Sequence, residues 1–105
     1  MITIQKSVVG FVFRATLIDT SGEPINISTA TVKKIIFRNP SNAVEIVDAV
    51  FDSDGSDGKL KYTTVAGDID EPGQWDIQGY VVMSSLRNYS AIANFQVNDN
   101  LTEIV

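Results

Sequence analysis

Apolar and polar residues alternate along most of this chain with a period of two, the mark of half-buried β-strands. In residues 88–98, Tyr89, Ala91, Ala93, Phe95 and Val97 fall on one face, and Ser90, Ile92, Asn94 and Gln96 on the other. Near the start, Phe11, Phe13, Ala15 and Leu17 oppose Val12, Arg14, Thr16 and Ile18. Leu60 and Tyr62 alternate with Lys59, Lys61 and Thr63. Over residues 74–83, Trp75, Ile77, Gly79, Val81 and Met83 alternate with Gln74, Asp76, Gln78, Tyr80 and Val82.

Two stretches are less regular. Residues 31–40 are β-branched and aromatic, but the pair Lys33 and Lys34 interrupts the alternation, which suggests a bulge. Residues 43–52 switch face partway and read as a single strand. Between the strands lie turn signals: "DTSGEP", "NPSNA", "DSDGSDG" and "AGDIDEPG". No window carries a capped helical period. The pattern predicts an all-β protein of six or seven strands, with turns about every 8 to 14 residues, as in a sandwich or small barrel. Residues 1–7 read as an edge strand or an arm. Residues 98–105, ending in apolar side chains, read as an arm packing on a neighbour or as a frayed end.

At 105 residues with 44% apolar and 20% charged side chains, the chain has the length and composition of one globular domain with a single core. It contains no cysteine and no histidine. Disulfides, thiolate metal sites and cysteine nucleophiles are thereby excluded, as is the commonest general base. The net charge of −5 argues against a nucleic-acid partner. That charge is concentrated in residues 48–76, where eight carboxylates face only Lys59 and Lys61. No apolar run approaches the roughly 18 residues of a membrane span, so no membrane partner is expected. The N-terminal stretch lacks the basic region and cleavage site of a signal peptide, which implies folding in a cytoplasm.

The acidic stretches invite a metal or a hydrolytic reading. "DSDGSDG" begins like a calcium loop, but counting from Asp52 puts Asp57 where glycine is needed and Thr63 where glutamate is needed. A hairpin turn built on Asp-Gly accounts for it. Asp68 and Asp70 are separated from Asp57 by a strand, about 20 Å at roughly 3.3 Å per residue, so the two groups belong at opposite ends of the sandwich. The carboxylate pairs Asp68 with Asp70 and Asp52 with Asp54 would need a cleft that a sandwich this small does not offer. Lys33, Lys34 and Arg38 form either a small basic stripe or, in the plainer reading, a solvated or edge-protecting face. No catalytic, cofactor-binding or metal-binding residue is assigned.

"EPGQWDIQGYV" (71–81) reads as a corner. Pro72 presets φ, Gly73 allows φ > 0, and Trp75 is in phase with Ile77 and Val81. That phase favours a buried tryptophan over an exposed binding aromatic. Asp70, Gly73, Trp75 and Ile77 resemble the Asp-x-Gly-x-Tyr-x-Cys corner of immunoglobulin-like sandwiches. Tryptophan stands for tyrosine, isoleucine for cysteine, and the glycine sits one position later. The fold expected is an Ig-like antiparallel β-sandwich.

Four stretches carry a wider resemblance: "ATVKKIIFRNPSNAV", "DGSDGKLKYTT", "DIDEPGQWDIQGYVV" and "NYSAIANFQVNDNL". Together they resemble Ig-like domains of phage structural proteins, in particular the N-terminal domain of baseplate upper proteins and related prophage virion proteins. The resemblance covers roughly residues 9 to 101 and rests on turn and core residues. It implies a non-enzymatic bacteriophage virion protein, made in the host cytoplasm: an assembly or docking module of the capsid surface (a decoration protein), collar, tail or baseplate. It implies no cofactor and no catalytic residue. Its partners would be other virion proteins and further copies of itself. Baseplate proteins of that type continue into long helical or receptor-linked regions, whereas this sequence reads to Val105, which suits a decoration, collar or adaptor protein. The alternative is a carbohydrate- or cell-surface-binding module acting through exposed aromatics such as Tyr80 or Tyr89.

Overall fold

The computed structural model describes residues 2–84, 86–102 and 104. Among them the chain forms nine strands: β1 (Ile2–Gln5), β2 (Val12–Thr16), β3 (Val32–Arg38), β4 (Val44–Asp48), β5 (Val50–Phe51), β6 (Lys59–Thr63), β7 (Gly73–Met83), β8 (Leu86–Tyr89) and β9 (Ala93–Asn98). Six strands make one sheet, in the order β1-β9-β7-β3-β4 with β8 added to β7, and three make the other in the order β2-β6-β5. The protein is an all-β, two-sheet sandwich. Pairing is antiparallel throughout except between β1 and β9, which run parallel. The pairings β2-β6-β5 and β9-β7-β3 match those within the two sheets of an immunoglobulin-like sandwich, whereas β1, β4 and β8 all join the larger sheet.

Nine strands exceed the six or seven that the alternation predicts, for two local reasons. Residues 43–52 hold two strands, not one: β4 belongs to the larger sheet and β5 to the smaller. The chain crosses at buried Ala49, whose N–H donates to the Lys33 carbonyl at 3.0 Å. The change of face in the sequence is this change of sheet.

The second reason is a bulge in residues 88–98. Tyr80 pairs with Tyr89, yet Ile77 pairs with Ala93, so residues 90–92 oppose only Gln78 and Gly79. One extra residue reverses the faces on either side of it. Tyr89 therefore points outward while Phe95 and Val97 point into the core, which corrects the single shared face expected for them. Ser90 holds the bulge: its N–H donates to Gly79 O at 2.9 Å, and its Oγ accepts from Gly79 N–H at 2.7 Å.

The bulge expected at Lys33 and Lys34 is not formed, because β3 stays in register with β7 from Val32 to Arg38. Lys33 is the interruption only in chemistry. It takes an inward-facing position, where its ammonium sits 4.6 Å over the Phe51 ring.

The core lies between the sheets and is strongly aromatic. Phe13 on β2 meets Phe95 at 4.7 Å and Phe37 at 5.3 Å, so one ring ties both layers together. Leu17, Ile27, Ile35, Leu60, Val81 and Val97 are fully buried around it. Each such side chain contributes on the order of 1.5–3 kcal/mol of transfer free energy. Gly79 sits at a close approach of the two layers, since a Cβ there would come within 2.9 Å of Ala15 Cβ.

The corner before β7 buries its tryptophan. Trp75 is 3% exposed and stacks on Phe95, with ring centroids 5.8 Å apart and planes 22° apart. Its indole N–H donates to Glu71 O at 2.9 Å. Gly73 has φ +130°, a region closed to most side chains, and any Cβ there would strike the Pro40 ring at 2.7 Å. The 39–43 turn closes on this corner, with Ser41 Oγ donating to Glu71 Oε1 at 2.6 Å.

Candidate interaction surface

The outward face of the larger sheet departs from the usual rule that one side of an antiparallel sheet is polar. Outward positions of β3 and β4 carry Val32, Ile36, Val44 and Ile46, and β7 adds Tyr80. The Ser90 bulge adds Tyr89, and Ile92 follows it. Val44, Ile46, Tyr89 and Ile92 are all more than half exposed. Scattered single apolar residues are normal on a surface, but adjoining ones on neighbouring strands mark an interaction site.

Two shallow hollows lie side by side on this face. One, of about 270 Å³, is lined by Val32, Lys34, Ile36, Ile46, Tyr80 and Tyr89. The other, of about 210 Å³, is lined by Ile36, Arg38, Val44, Asp76, Ile77, Gln78 and Ile92. Ile36 is common to both, so they form one grooved apolar surface. Both are below the roughly 300 Å³ at which small-molecule pockets begin. Their shape suits a complementary surface better than an enclosed ligand.

Two ion pairs lie on this face. Lys34 pairs with Asp48, and Arg38 with Asp76. Arg38 Nε donates to Asp76 Oδ2 at 2.8 Å, and Asn94 Nδ2 donates to Oδ1 at 2.5 Å. The Arg38 hydrogen bond, assisted by that from Asn94, holds the Asp76 carboxyl below its usual pKa. The basic stripe considered for Lys33, Lys34 and Arg38 is not formed. Lys33 lies on the opposite face from the other two, and both of those have acidic partners. Nor does β3 need edge protection, because it is an interior strand.

The acidic stretches are employed locally. In the 52–58 loop, Asp52 pairs with Arg14 at 3.0 Å, Asp54 Oδ1 accepts from Ser56 N–H at 2.9 Å, and Asp57 Oδ1 accepts from Lys59 N–H at 3.1 Å. The Ser56 bonds lower the Asp54 pKa. Asp68 Oδ2 accepts from the Tyr62 hydroxyl at 2.5 Å and from Val65 N–H at 2.8 Å. Partial burial, followed by that bond to a carboxylate, raises the Tyr62 pKa to about 12. Among the described residues, no group of three or more acidic side chains is placed to hold a metal ion, and no helix is long and apolar enough to cross a membrane.

Of the aromatics considered for binding, Trp75 belongs to the core. Tyr80 and Tyr89 are brought together on the outer face, with ring centroids 4.8 Å apart. Sequence reasoning missed the aliphatic part of this surface. The available signal was that "KKIIF" and "VEIV" carry apolar residues at both parities, which a one-sided strand has no reason to do. No protein-family model matches the chain, and no curated protein matches it either.

Proposed function

We propose that this protein is a non-enzymatic structural component of a bacteriophage particle, a docking module of the capsid surface, collar, tail or baseplate. The observation that carries the reading is the grooved apolar face on β3, β4, β7 and β8, which a free-standing sandwich has no need to expose. The resemblance of its turns and core to phage Ig-like domains supplies the kind of partner, another virion protein. Quantitative mass spectrometry of purified particles tests the proposal. The chain is expected at a fixed ratio to a capsid, tail or baseplate protein. Tyr89→Glu and Ile92→Glu, which change exposed side chains only, are expected to remove it from particles while leaving it folded. Absence of the unmodified chain from particles overturns the proposal.

The Tyr80–Tyr89 pair favours a second reading, recognition of a cell-surface carbohydrate stacked on the exposed ring. A glycan array comparing the protein with Tyr80→Ala and Tyr89→Ala decides it. Binding lost in both variants supports this reading. No binding at all, or binding that survives both changes, ends it.

A further inference from the structure

β4 is an open edge of the larger sheet, and no described strand pairs with its outer side. Its hydrogen-bonding pattern follows from the two ends of its ladder with β3. Asn39 N–H donates to Ala43 O at 3.0 Å, and Ala49 N–H donates to Lys33 O at 3.0 Å. Bonded and non-bonded pairs alternate in an antiparallel ladder. Glu45 and Val47 therefore turn their backbone groups toward β3, while Val44, Ile46 and Asp48 turn theirs to the open side. The register is unbroken, and the strand contains no proline or lysine, its charges being Glu45 in an inward-facing position and Asp48 in an outward-facing one.

We propose that this edge pairs with the same edge of a second copy of the chain, antiparallel, about a two-fold axis at Ile46. In that register Ile46 opposes the partner's Ile46, and Val44 opposes the partner's Asp48. Every outward-facing N–H and C=O of β4 then finds a partner. A shift of one residue would set them against groups already bonded to β3, and a shift of two would leave part of the edge unpaired.

The side chains on the outer face agree with this register. One row across the joined sheet reads Arg38, Val44, the partner's Asp48 and the partner's Lys34, and the symmetric row repeats it. The acid of one copy enters the row headed by a cation of the other, and the Asp48 side chain, paired with its own Lys34, is still 86% exposed. The row between is isoleucine throughout, with Ile36 and Ile46 from each copy. Such a contact is isologous and closes on itself. Its five residues per strand bury much less than the roughly 800 Å² per partner of a standard interface. The pair is therefore weak in dilute solution and forms where copies are concentrated.

The pairing rests on reading the chain as an assembly module, but its test uses the isolated protein. Sedimentation velocity over about 10 μM to about 1 mM, the range of weak association, is expected to show a reversible monomer–dimer equilibrium. Amide hydrogen exchange supplies the signature. Glu45 and Val47 should be protected at every concentration, while Val44, Ile46 and Asp48 gain protection only as the dimer forms. Ile46→Pro removes an outward N–H without touching a bond to β3. It should abolish dimerisation while Glu45 and Val47 stay protected. A monomer at every concentration overturns the proposal. So does a dimer that survives Ile46→Pro, or protection of these amides only by a strand from another protein. Failure here leaves the protein's presence in particles untouched, and absence from particles leaves this result untouched.

Discussion

Trp75 and Glu71 are joined across the corner by an indole N–H donated to a backbone carbonyl, at 2.9 Å. The bond ties the start of β7 to the turn that delivers it, while the ring itself stacks on Phe95. The arrangement parallels the tyrosine corner of immunoglobulin-like domains, where a phenol reaches back to upstream backbone.

Packing and hydrogen bonding at this corner are separable by substitution. Trp75→Ala should destabilise the protein by about 3–5 kcal/mol. Trp75→Phe keeps an aromatic ring but frees the Glu71 carbonyl, and should lose less, with about 1 kcal/mol attributable to the bond. Urea denaturation checks both. Unchanged unfolding of Trp75→Ala would show that the ring does not hold the corner.

Ser90 is the fulcrum of the bulge, because its buried Oγ takes the Gly79 N–H. Ser90→Ala leaves that donor without its acceptor and should cost about 1–3 kcal/mol. Ser90→Thr keeps the hydroxyl and should cost less. Faster amide exchange at Gly79 in the alanine variant, measured by NMR, would locate the damage.

Tyr62 links stability to alkaline pH. Its folded pKa is raised to about 12, above the roughly 10 of a free phenol. The unfolded chain therefore loses this proton first. The contribution is complete below about pH 10 and is lost as pH rises through about 12. The stability difference between the protein and Tyr62→Phe, from denaturant titrations across that window, should shrink as pH rises.

Asp76 acts in the opposite sense. Its folded pKa is depressed, chiefly by the Arg38 hydrogen bond. Its contribution is present above the unfolded value of about 3.9 and disappears as pH falls through the lower folded value. The stability difference between the protein and Asp76→Asn should hold steady near neutrality and close in acid. In an Arg38→Ala background most of that dependence should be absent.

These residues also show what the sequence makes legible. Trp75, Phe13 and Val81 could be placed in the core because strand parity is a local property, and the Pro72-Gly73 turn sets its phase. Tyr89 could not. A bulge changes parity by one residue, and what fixes it is the side chain of Ser90 bonding across strands, which leaves no periodic trace. The β4-to-β5 crossing was visible as a change of face, but period alone does not separate a kinked strand from a change of sheet. The outer surface was hidden for a related reason. Ile36 and Ile46 meet on the outside only because β3 and β4 are neighbours in a sheet, a relation that no local pattern records.

Among the described residues, the one parallel pairing joins β1 to β9. Pull on the chain at Ile2 and at Asn98 in opposite directions, and the tension runs along both strands. The rungs from Ile2 against Phe95 to Gln5 against Asn98 carry the load together in shear; they do not peel open in turn. Lys6 N–H to Asn98 O at 2.8 Å, and Asn100 Nδ2 to Lys6 O at 2.7 Å, extend that ladder past its end. The edge that looks most dispensable in a list of strands is the one that would have to break, all at once, before the domain could be drawn out.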